Sequence, residues 1–122
     1  MKIKVVYYNI IDNERPAIMD IEADDNNETF HKLLKCNTID IVRRGILTNY
    51  YQIIVDDEGL FRENRKVSAI SLSKGYCPLV GNLIICKSQG EDLIGLTDDE
   101  ARIICDCGFV EFVPHPILVL TR

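Results

Sequence analysis

The chain has 122 residues, enough to bury a core as one domain of ordinary size. Apolar residues make up 47% and charged residues 27%, which excludes a disordered chain, and no apolar run approaches the roughly 18 residues that span a bilayer. Fourteen basic against 19 acidic side chains leave a net charge of −5, which disfavours a phosphate-neutralising surface and so a nucleic-acid partner.

The opening MKIKVVYYNIIDNE alternates loosely and reads as a first strand. Its apolar part is too short for a signal peptide and lacks a small-residue cleavage site. Residues 15–22 read as a second strand, with Ala17, Met19 and Ile21 on one face and Ile18 on the other. Pro16 donates no ladder hydrogen bond, so an edge position and a hairpin with the first strand are expected. Asp25 and Glu28 have capping-box spacing before an apolar stripe of Phe30, Leu33 and Leu34, which predicts a short first helix ending near Cys36 and Asn37.

Residues 38–42 read as a third strand, Arg43-Arg44-Gly45 as a connection and residues 50–56 as a fourth strand, closed by Asp57, Glu58 and Gly59. Asn64 is placed to cap a short helix through Val67, Ala69 and Ile70, and residues 71–80 read as a loop.

Residues 81–108, GNLIICKSQGEDLIGLTDDEARIICDCG, organise the rest. The apolar run 83–86 is long enough for a buried strand and too short for a helix. Ser88, Gln89 and Gly90 supply a turn, and Leu93 and Ile94 a short return strand. Thr97 and Glu100 form a capping box, with Asp98 and Asp99 in the positive first turn of a helix that Gly108 terminates. The run 109–120 is apolar, and Pro114 and Pro116 argue against a central strand there.

Five cysteines (Cys36, Cys77, Cys86, Cys105 and Cys107), an odd count with no secretion signal, point to reduced thiols in a cytoplasm. Cys105-x-Cys107 is the one candidate nucleus of a metal site. Residues two apart on a helix point about 200° apart, so neither a metal nor another cofactor is expected. Acidic residues fall in two groups, one around Asp20, Glu22, Asp24, Asp25 and Glu28, the other around Glu91, Asp92, Asp98, Asp99 and Glu100. Such groups read first as a solvated face plus helix N-termini, and otherwise as a surface that meets a basic partner or imitates nucleic acid, though a dedicated mimic should carry a much larger negative charge.

Four pieces in order carry a resemblance. They are LLKCNTIDIV, a helix-to-strand passage; YQIIVDDEGL, a strand with an acidic turn and Gly; the pair Asn64-Arg65; and GNLIICKSQGEDLIGLTDDE. Together, over about residues 1–107, they resemble DUF3846, a small bacterial and phage family of unknown function. That family often carries Pro shortly before the Asn-Arg pair, where this chain has Phe61-Arg62-Glu63, and the tail after Gly108 lies outside its pattern. The resemblance implies a compact α+β domain encoded on phages, plasmids and conjugative elements, and it implies no reaction.

The expected fold is therefore α+β, with a mainly antiparallel sheet of about five strands and two or three short helices on one face, over residues 1–108, followed by an apolar strand or tail at 109–122. The expected function is that of a non-enzymatic accessory protein of a mobile genetic element that binds another protein, with no membrane association. The run 109–120 offers a homodimer contact. An alternative is a small enzyme or a phosphate- or small-molecule-binding domain at Asn64 and Arg65, with the carboxylates of Asp56 and Asp57. A second alternative is nucleic-acid binding through Arg43, Arg44, Arg62, Arg65 and Lys66, with Tyr50 and Tyr51 stacking on bases.

Overall fold

A computed structural model describes residues 2–12, 14–23, 27–46, 49–58, 67–71, 77–107 and 118–120. The strands are β1 (Lys2–Tyr8), β2 (Ala17–Glu22), β3 (Ile39–Ile46), β4 (Asn49–Asp56), β5 (Val67–Ser71), β6 (Cys77–Val80), β7 (Leu83–Gln89), β8 (Asp92–Ile94) and β9 (Leu118–Leu120). The helices are α1 (Glu28–Leu34) and α2 (Asp98–Cys107). A six-stranded antiparallel sheet runs in the order β2-β1-β7-β4-β3, with β8 paired to β7. A smaller antiparallel sheet runs β6-β5-β9. The class is α+β.

β7 is the axis of the larger sheet, bonded to β1 on one side and β4 on the other. Its apolar run serves two cores, because successive side chains leave a strand on opposite faces. Leu83 and Ile85 join Val6, Tyr8, Ile53 and the α2 residues Ala101 and Ile104. Ile84 and Cys86 join Val5, Ile54 and the α1 residues Phe30 and Leu34. The helices therefore cover opposite faces, which corrects the expectation that they share one. A sheet buried on both sides needs two covers, and the unbroken apolar run at 83–86 is the mark of that double burial.

Four further expectations are corrected. Arg43, Arg44 and Gly45 lie within β3, which pairs with β4 in unbroken register from Ile39↔Asp56 to Ile46↔Asn49. The helix expected over residues 67–70 is strand β5, and the loop expected over 71–80 contains β6, where Pro78 stands opposite Ile70. Pro is tolerated there because β6 is an edge strand. Ser88 and Gln89 continue β7, and the turn is the two-residue loop Gly90–Glu91, with Gly90 at φ 64° as such tight hairpins require.

Helix α1 starts at Asn27, whose backbone is left-handed and whose side chain makes no cap bond. The Asp25 of the expected capping box lies outside the described residues, as does Gly108. At the other end Lys35 takes the left-handed conformation. Helix α2 begins with the capping box as expected, Glu100 N donating to Thr97 Oγ1 at 3.1 Å and Thr97 N to Glu100 Oε1 at 2.9 Å.

Candidate functional site

Asn64 and Arg65, with Arg62 and Lys66, lie outside the described residues. Asp56 ends β4 and Asp57 follows in the turn, where Asp56 Oδ1 accepts the N–H of Glu58 at 2.9 Å and Thr38 C=O accepts that of Asp57 at 3.2 Å. This is the local bonding of an Asx-type turn.

The candidate base-stacking residues divide between the two faces of the sheet. Arg43 and Tyr50 share the α1 face, with the guanidinium 4.5 Å from the ring centroid and the Tyr50 ring half exposed. Tyr51 lies on the α2 face, is buried, and donates to Glu100 Oε2 at 3.4 Å. A tyrosine so packed offers no ring face to a base.

Glu100 is the centre of a polar knot between helix and sheet. Besides Tyr51 it accepts Lys87 Nζ on Oε2 at 3.0 Å. Burial pushes its carboxyl up, but the Thr97 N–H and the Lys87 ammonium outweigh this and hold it below the ordinary carboxylate range. Burial and then the Glu100 charge push the Tyr51 phenol up, against the hydrogen bond from Asn49. These groups tie α2 to β4 and β7.

A second knot surrounds Asn82, which is fully buried. Its Oδ1 accepts the Ile11 N–H at 3.1 Å, and its Nδ2 donates to Tyr7 Oη at 3.1 Å and to Leu33 C=O at 3.0 Å. Tyr7 Oη also donates to Leu33 C=O at 2.7 Å. Nearby, Asn9 bonds Asp12 and Glu14, and Lys35 pairs with Asp12 at 3.1 Å. Sequence reasoning passed over Asn82. Its one signal is a polar side chain at the head of the apolar run 83–86.

The two acidic groups meet at Lys4. Its ammonium lies 3.2 Å from Asp98 and 3.5 Å from Asp20, which brings acidic residues of β2 and of the start of α2 together, while Asp99 pairs with Arg102 at 3.4 Å. The hydrogen bond to Asp98, then the charge of Asp20, raises the Lys4 pKa. Asp20, Asp98 and Asp99 remain largely solvent-exposed.

A concavity of about 550 Å³ opens between the start of α1 and the β7–β8 hairpin. Phe30, Leu93 and Ile94 supply apolar lining, and Asn27, Gln89, Glu91 and Asp92 supply polar groups. Among the described thiols, Cys36 and Cys86 are buried and Cys105 is half-buried, and none of the three is in a disulfide. Burial pushes the Cys86 thiol up to about 12, so it is no nucleophile.

An antiparallel α+β sheet clasped between two short helices defines the class. The chain belongs to the family described as Domain of unknown function (DUF3846), whose model matches residues 3–107. No curated protein and no solved structure matches it. Among the described residues no helix is long and apolar enough to cross a membrane.

Proposed function

We propose that the chain is a non-enzymatic accessory protein of a mobile genetic element or phage-like region, and that it acts by binding a protein with a basic surface. The observation that supports this reading is the meeting of the two acidic segments at Lys4, which pairs with exposed Asp20 and Asp98, while exposed Asp99, next to Asp98 in sequence, pairs with Arg102. Clustered like charge of this kind steers an oppositely charged partner into place. The association with a mobile element rests on the family resemblance. The test is a tagged pull-down from the native host with mass spectrometry, comparing the wild-type chain with Asp20→Lys/Asp99→Lys. A basic partner captured by the wild type and lost in the variant supports the reading. A partner kept by both moves the binding surface elsewhere, and capture of nothing by either overturns it.

The concavity beside Phe30 favours a second reading, small-molecule binding. Its apolar floor and the carboxylates of Glu91 and Asp92 suit an organic cation. A thermal-shift screen of amines, repeated on Glu91→Gln/Asp92→Asn, separates this reading from the first.

A further inference from the structure

Among the described residues, the strand order of the larger sheet ends in two edges, β2 and β3. Unpaired edge groups recruit other strands unless something blocks them. β2 is blocked: Pro16 precedes it, and its own charges, Asp20 and Glu22, are both acidic, so a second copy would meet like charge.

β3 is different. Its register with β4, together with the in-register bond from Asp57 N–H to Thr38 C=O, fixes which peptide groups face inward. Residues 40, 42 and 44 bond to β4, while 39, 41, 43 and 45 aim N–H and C=O away from the sheet. Two of these outward groups are held by side chains of β3 itself. Ile41 N–H donates to Asp40 Oδ1 at 2.9 Å, and Arg43 C=O accepts Arg44 Nη1 at 2.8 Å. Arg44 Nε is shielded from solvent and has no hydrogen-bond partner among the described residues.

We propose that β3 is a self-association edge, at which two copies of this chain pair antiparallel about a twofold axis through Val42. In that register Ile41 stands opposite Arg43 of the second copy. The Ile41 N–H then donates to the Arg43 C=O of the second copy, and these are the two groups that Asp40 and Arg44 hold in the free chain. The released carboxylate and guanidinium also fall opposite each other, Asp40 against Arg44 of the second copy. They occupy a non-hydrogen-bonded pair, where Cα atoms are about 4.5 Å apart and side chains lie closest. Each bond given up within the chain is replaced across the axis, and no polar group is stranded. The run Asp40-Ile41-Val42-Arg43-Arg44 carries acid on one side of its centre and base on the other, so its charges attract its own copy. Pairing also covers Ile41, which is 44% exposed. Such an interface is isologous and closes at two copies.

The test is sedimentation equilibrium of the full chain. The wild type is expected to dimerise reversibly. Asp40→Arg alone and Arg44→Asp alone place like charges opposite each other and are expected to be monomeric. Mixing the two single variants restores a one-to-one heterodimer, and Asp40→Arg/Arg44→Asp in one chain restores the homodimer. Hydrogen exchange on the wild type adds a readout that needs no variant: the outward Arg43 amide slows as protein concentration rises. A wild type that stays monomeric to millimolar concentration, a dimer indifferent to the charge reversals, or an Arg43 amide whose exchange ignores concentration each overturns the proposal.

Discussion

At the scale of single residues, Glu100 does the work of several groups. It closes the cap of α2 and binds Lys87 and Tyr51 across the sheet face. Replacing it by Gln keeps the shape and removes the charge, and we expect a loss of about 1–2 kcal/mol at neutral pH, read by chemical denaturation. The folded protein holds this carboxyl below its ordinary range, so its contribution is complete above that range and is lost as the pH falls through the folded value. The gap between wild type and Glu100→Gln should therefore close in acid; a gap that persists or widens there would refute the assignment. The cap was legible because Thr97, Asp98, Asp99 and Glu100 are adjacent and their bonds are local. The link to Lys87 and Tyr51 was not, since it depends on which strands become neighbours.

At the scale of elements, type was readable where the pattern had one period and misread where composition stood in for it. Arg43-Arg44-Gly45 looked like a connection because two charges and a Gly are turn chemistry. Yet an edge strand half open to water carries such residues without penalty, and β3 simply continues through them. The segment 67–71 is five residues long, too short for spacing to separate helix from strand, and pairing with β6 and β9 decides it. Gly95 shows the converse, a residue whose constraint is wholly tertiary. A Cβ there would lie 2.7 Å from the Lys4 backbone N, where β8 leads into α2 across β1 and Leu96 N–H bonds Lys4 C=O at 2.8 Å. Gly95→Ala is expected to cost about 1–3 kcal/mol, because backbone must move to admit the methyl. A Tm equal to that of the wild type would show that the crossing yields freely.

At the scale of the whole molecule, Asn82 joins parts far apart in sequence, the loop after β1, the end of α1 and the start of β7. Asn82→Ala removes the acceptor that Asn82 Oδ1 offers Ile11 N–H and leaves Leu33 C=O with one donor fewer. About 1–3 kcal/mol should be lost, with α1 and the loop loosening together in hydrogen exchange. Exchange confined to one of the two would argue against a shared tie. The α+β class followed from mixed periods along the chain. The strand order did not, because nothing local to residues 83–89 says that they will sit between β1 and β4.

That order has a consequence during synthesis. The hairpins β1–β2 and β3–β4 are each complete by residue 56, but the strand that unites them begins at Leu83. At ribosomal speeds of about 5–20 residues per second, the nascent chain carries two unjoined hairpins for a few seconds, each with an apolar inner edge bare. Nucleation across such sequence distances is slow. The growing polypeptide is thus most open to misassociation, and most in need of a chaperone, in the interval before β7 emerges.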